Sequence, residues 1–319
     1  MKNKGIVIFL IILAVIIIGI VALDYNSTRP DEQPANPYEF NVDSFSKIDS
    51  ALILYRENRQ FSISFSEPAG VCWRDNQLFI VGDQKMQVIQ QNGKLLKEVN
   101  FDKKPTCIYA SAGNIFVGFR KSVQVLNRDG VKITDWNLFS DSTVITSIAE
   151  QSGTVFVADA GKRMVRKFNL EGKAMGEIEG KAGNDQIHGF IIPGPHFDLA
   201  FNADGELWVV NPGRHALENY TTDGNLRTWW QASSIKIEGF SGCCNPVSFA
   251  FLPDGSFVTS EKGMIRIKTY KPSGEFSGVV AAPSKFVTDG HAPDLAVDNE
   301  GNIYALDIDK KILRLFVKK

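Results

Sequence analysis

Residues 196–230 read HFDLAFNADGELWVVNPGRHALENYTTDGNLRTWW. The stretch divides into four short strands. An apolar run over 197–201 meets a turn at Ala203-Asp204-Gly205, and 206–210 runs back to a second turn at Asn211-Pro212-Gly213. A third strand over 216–221 ends in Thr222-Asp223-Gly224, and 225–230 makes the fourth. Asp-Gly between apolar runs is a strong hairpin signal, because glycine accepts positive φ without a Cβ clash. A single four-stranded meander cannot bury both of its faces, so it needs copies of itself on either side.

The chain supplies those copies. Aligned on the first turn they are CWRDNQLFIVGD from Cys72, CIYASAGNIFVGF from Cys107, TSIAEQSGTVFVAD from Thr146, DLAFNADGELWVVN from Asp198, SFAFLPDGSFVTSE from Ser248 and DLAVDNEGNIYALD from Asp294. The third turn recurs as Asn92-Gly93, Asp129-Gly130, Glu171-Gly172, Asp223-Gly224 and Ser273-Gly274. Six four-stranded units at a period of roughly 40 to 50 residues predict an all-β, six-bladed β-propeller rather than a sandwich. The sixth unit stops after a third strand at 311–317. The reading therefore takes its missing outer strand from 60–66, QFSISFS, which closes the ring and hides the edges.

Composition agrees with one large β domain. β-branched and aromatic residues fill the strands, and helical periodicity is hard to find beyond residue 60. Across 319 residues, 35 Lys and Arg face 36 Asp and Glu, a net charge of -1, so nothing suggests a nucleic-acid footprint.

The N-terminus is a different material. Residues 5–23 are uncharged and apolar, between Lys2 and Lys4 on one side and Asp24 on the other. As a helix this run spans a bilayer core of roughly 30 Å. The lysines predict a cytoplasmic stub at 1–4 and a propeller outside the cytoplasm, periplasmic or at the cell surface. A cleaved secretory signal is the competing reading. Against it, the run is longer than a usual signal core and no small-x-small site follows. Residues 24–50, with Pro30, Pro34 and Pro37, read as an extended tether, and the propeller occupies 51–319. Within it, ALILY at 51–55 is expected to pack onto the blades.

Strand direction selects a working face. First strands start, and second strands end, at one mouth around the axis, whereas the first and third turns lie opposite. The second strands end at Asp83, Phe119, Asp159, Asn211, Glu261 and Asp307. Four of these six are acidic and Asn211 is an amide. Asp159 and Asp307 have a structural alternative, accepting backbone N–H groups of the following turn. His196, Asp198, Cys243, Cys244, Asn245, His291 and Asp294 fall at or just before first strands, beneath the three longest connections, where a protein partner or small ligand is expected to bind. Acids gathered there repel one another unless a cation, water or basic ligand offsets them.

Four cysteines divide into two kinds. Cys72 and Cys107 sit inside strands and read as small buried hydrophobes. Cys243 and Cys244 are adjacent in a loop. They fit a ring disulfide, a pair of soft-metal ligands completed by His196 or His291, or two half-buried thiols. Trp229-Trp230, just before the same loop, reads chiefly as packing between blades.

The run Thr154-Val155-Phe156-Val157-Ala158-Asp159-Ala160-Gly161-Lys162-Arg163 resembles an NHL repeat. DGELWVVNPGRHALENYTTDG and EGNIYALDIDKKILRLF resemble it as well, so the likeness covers about 67–319. It implies the propeller fold strongly and function weakly. NHL-type propellers include protein- and RNA-binding domains. Related six-bladed propellers include metal-dependent lactonases of the SMP-30/gluconolactonase type and an amidating lyase, which hold a divalent cation on the axis with Glu, Asn and Asp; the resemblance implies Asp159, Asn211, Glu261 and Asp307 as the matching residue types for such an ion, calcium or zinc. Two expectations follow: a membrane-tethered binding propeller, or a metal-dependent extracytoplasmic enzyme, hydrolytic or redox.

Overall fold

The computed structural model describes residues 4–27, 43–137, 140–181 and 189–319. The helix α1, Lys4–Ser27, has 24 residues, all exposed, and a length of about 36 Å. It is long and apolar enough to cross a membrane, a description that a signal sequence also meets. It runs past the expected end of the apolar run, through Asp24. Most of the expected Pro-rich tether, residues 28–42, lies outside the described residues.

From Phe45 onward the chain forms one compact unit of six four-stranded antiparallel sheets. Blade one runs Pro68–Arg74, Gln77–Gly82, Lys85–Gln90 and Leu95–Asn100. Its second strand shows why the sheets stack: in the pattern iBBBBB five of six residues are buried, so both faces are covered by neighbouring blades. The fourth strand of the same blade is largely exposed, as expected at an outer rim. Blade four is Leu199–Phe201, Leu207–Asn211, Ala216–Tyr220 and Leu226–Gln231, the four strands expected from its turns.

The glycine of each third turn sets the spacing between blades. Gly172 has φ +84°, and a Cβ there would stand 2.4 Å from the Trp136 ring on the last strand of blade two. Gly274 has φ +84° and meets Trp230 of blade four in the same way, at 2.5 Å. Only glycine takes this conformation freely and also leaves room for the indole. Trp230 is buried against Phe240, Phe257 and Tyr270, whereas Trp229 stays 45% exposed, so the expected packing role falls to one of the two.

Blade six comprises Asp294–Val297, Ile303–Asp307 and Ile312–Lys318, and an N-terminal strand completes it. That strand is Tyr55–Ser62, earlier than the expected 60–66. The apolar alternation of QFSISFS misled the register. Phe61 and Phe65 are both buried, but Ser66 and Glu67 turn inward, each donating its backbone N–H to the Asp83 carboxylate. The true closing strand exposes most of its length to solvent and carries little apolar signal. Just before it, Leu54 donates its N–H to Val279 O, so the ALILY segment is tied to blade five.

Candidate functional site

The starts of the first strands surround a cavity of about 920 Å³ on the propeller axis. His196, Asp198, Ser248, His291 and Asp294 line it, together with Thr106, Thr146 and Val247. Glu67, Lys104, Arg120, Asp309 and Lys311 also face it. Asp198 and Asp294 also line a second cavity of about 260 Å³ that continues down the axis past Tyr109, Phe201 and Phe251. The two aspartates therefore form a floor between the mouth and an inner chamber.

Neither aspartate is placed by its own sheet alone. Asp198, in blade four, accepts from the backbone N–H of Phe249 in blade five at 2.9 Å. Asp294, in blade six, accepts from Val71 N in blade one at 2.8 Å and from the Ser248 hydroxyl at 3.0 Å. First strands of adjacent blades share no ladder, so these side chains tie the inner ring together. Burial, then repulsion from Asp198, pushes the Asp294 carboxyl up to about 7. Burial also raises Asp198, against hydrogen bonds that favour its charged form. Two carboxyls in one enclosed space resist ionising together. His196 moves the opposite way, down to about 4, through burial and the nearby charges of Lys262 and His291, and is neutral at pH 7.

His291 stands at the edge of the mouth with its Nδ1 2.7 Å from Asp309 Oδ1, and the other oxygen of Asp309 accepts its backbone N–H. This leaves Nε2 as the nitrogen through which the ring can exchange a proton with a bound molecule. Asp309 follows Asp307 by two residues at the exit of a second strand. The sequence reading stopped at the strand end and passed it over, as it did Lys104 and Arg120.

The four proposed axial ligands are not brought together, and none lines the mouth. Asp159, Asn211 and Glu261 hold the connections entering their own blades, and Asp307 holds the turn that follows it. Asp159 accepts from Val144 N and Lys162 N, and Asp307 accepts from Lys310 N and Arg314 Nε. Asn211 accepts from Ile191 N and donates to Glu218. Glu261 is completely buried between Arg266, at 2.8 Å, and Lys268, at 2.7 Å. These contacts occupy the side-chain oxygens of Asn211, Glu261 and Asp307, whereas Asp159 Oδ2 is buried without a hydrogen-bond partner among the described residues. Among the described residues, no three His, Cys, Asp or Glu side chains are grouped to hold a metal ion.

The cysteine loop lies beside the mouth. Cys244 Sγ and the His196 ring both come within 4 Å of the position a Cβ on Gly194 would take. Cys243 is exposed, Cys244 is buried, and their sulfurs are 3.1 Å apart as free thiols. Asn245 fixes the loop, accepting from Lys262 N at 2.9 Å and donating to the carbonyls of Ser241 and Lys262.

No family model and no curated protein sequence matches the chain. Solved structures do. A streptogramin B lyase aligns with a TM-score of 0.59 over 82% of this chain and 97% of its own, at 15% identity. Virginiamycin B lyase from Staphylococcus aureus aligns with 0.59 over 83% and 100%, at 14% identity. A catalytically inactive histidine-to-alanine variant of that lyase, with quinupristin, gives the same values. A Bacteroides thetaiotaomicron protein of unknown function aligns with 0.59 at 15% identity, over 83% of this chain and 73% of its own. The likeness is one of fold. This chain is a six-bladed β-propeller whose structural neighbours include these lyases.

Proposed function

We propose that the protein holds a small organic ligand in the axial mouth of a membrane-anchored propeller, with the propeller outside the cytoplasm. The observation that carries this reading is the mouth itself. Its volume falls in the range of small-molecule sites, and it combines apolar walls, a few convergent polar groups and titratable side chains with displaced pKa values. The floor favours a ligand that brings a hydrogen-bond donor or an amine, since a cation between Asp198 and Asp294 relieves their mutual repulsion. Lys2 and Lys4 before the apolar run support the outward orientation.

The test is a small-molecule screen by saturation-transfer NMR, with quinupristin among the compounds, against the wild type and Ala69→Trp. Ala69 lines the mouth, and an indole there takes up part of its volume. Hits that vanish in the variant support the reading. An absence of hits, or hits that persist in the variant, refutes it.

A second reading, an enzyme, rests on His291 and Asp309. A carboxylate holding one imidazole nitrogen at 2.7 Å orients the other to act as a general base. Loss of turnover with retained binding in His291→Ala would support that role.

A further inference from the structure

Two of the four cysteines are placed to stay inert. Cys72 and Cys107 lie in inner strands, and burial pushes their thiols up, Cys72 to about 12. Thiols so far from ionising do not attack disulfides at neutral pH. Cys243 and Cys244 are placed differently.

Their sulfurs approach to 3.1 Å, one at the surface and one at 3% exposure beneath it. The backbone on both sides of the pair is held. Beyond the Asn245 clamp, Gly242 O lies 2.6 Å from His215 Nε2, and Ser241 N donates to the buried Glu261. The two sulfurs are therefore presented by a fixed frame rather than by a loose surface loop. The asymmetry extends to ionisation. The hydrogen bond from Cys244 and the charge of Lys262 lower Cys243, while burial and the neighbouring sulfur raise Cys244. An exposed, readily ionised thiol backed by a buried one is the arrangement that attack followed by resolution requires.

We propose that Cys243 and Cys244 form a redox-active dithiol that reduces a small, carboxylate-bearing disulfide by thiol–disulfide exchange beside the axial mouth. The Cys243 thiolate attacks one sulfur of the substrate disulfide. A Cys243–substrate mixed disulfide forms, the substrate S–S bond breaks, and the first half leaves as a thiolate that takes a proton from solvent. Cys244 then loses its proton to solvent and attacks Cys243 Sγ, releasing the second half as a thiolate that is protonated in turn. The protein gains a Cys243–Cys244 disulfide, and two electrons have passed to the substrate, now two thiols. Lys262 selects for the carboxylate, because both its backbone N–H and its carbonyl are bonded to Asn245, the neighbour of Cys244, which fixes this lysine beside the pair.

The experiment uses the full-length chain, reduced and kept in detergent, with oxidised glutathione as the probe. After acid quenching and alkylation with N-ethylmaleimide, the peptide bearing both residues is read by mass spectrometry. Wild type should lose both alkylation sites and two hydrogens and retain no glutathione. Cys244→Ser should stop with one glutathione on residue 243, and Cys243→Ser should not react. Lys262→Gln should slow the reaction with oxidised glutathione by roughly two- to fivefold more than that with the cationic disulfide cystamine, the worth of one ion contact beyond any effect on the Cys243 thiol common to both probes. Cys72 and Cys107 should stay unmodified throughout and so report an intact fold. Wild type that keeps glutathione on Cys243 without closing onto Cys244, or that does not react at all, overturns the proposal. Equal slowing of both probes by Lys262→Gln overturns the substrate class.

Discussion

Replacing Asp294 by asparagine should make the protein more stable relative to wild type as pH rises from 5 to 8. The Asp294 carboxyl is raised from the ordinary 3.8 to about 7 in the folded chain. The unfolded chain therefore ionises first, and between those values it binds fewer protons than the folded one. Stability from this group is complete below pH 3.8 and is lost as pH rises to about 7. At about 1.36 kcal/mol per unit the full shift amounts to about 4 kcal/mol, of which about 3 falls above pH 5. Asp294 keeps some surface toward the cavity, and solvent there reduces the figure to about 2 kcal/mol, or about 4 to 8 °C in Tm for a domain of this size.

Wild type alone will not display this slope. His196, lowered from 6.5 to about 4, contributes stability that grows with pH between those values, and the two trends oppose each other. The difference between Asp294→Asn and wild type isolates the aspartate, because both chains contain His196. Thermal melts by circular dichroism at half-unit steps from pH 5 to 8 measure it. A Tm difference that is flat with pH, or that falls, would refute the account of the axial pair.

Three further outcomes follow from the architecture. Deleting residues 310–319 removes the whole third strand of blade six and leaves Tyr55–Ser62 without a partner, so the product should be insoluble; a soluble, cooperatively melting truncation would contradict the closure. Glu261→Gln leaves Arg266 and Lys268 buried without the carboxylate between them and should cost about 3 to 5 kcal/mol in urea denaturation, with a loss below about 1 kcal/mol counting against it. A reporter active only outside the cytoplasm, fused after Lys319, should be active, and the reverse result would overturn the orientation.

What could be read from the residues depended on how local the physics was. The glycine turns announce themselves, because positive φ is a property of one residue, and the six repeats of the unit they punctuate set the ring. The closing strand escaped because its partner lies more than 250 residues away and its outer position requires almost no apolar alternation. At the mouth, Asp198 and Asp294 were identifiable from strand direction, but not their bonds to the next blade, which depend on the ring's curvature. Glu261 looked like an open carboxylate at a strand end. Its partners, Arg266 and Lys268, follow five and seven residues later, and only the return of the next strand brings them under it.

The polar character of the closing strand also bears on synthesis. Tyr55–Ser62 is made before any of the blades, and its partner Ile312–Lys318 follows only after all of their other strands. While those strands are made this strand waits with an open edge, the condition in which nascent chains join one another. Arg56, Glu57, Asn58, Arg59 and Gln60 give that edge charge and hydration while it waits. Once the ring closes, Glu57 pairs with Arg314 at 2.6 Å, so a residue that keeps the strand apart from other chains becomes one that fixes it to its own.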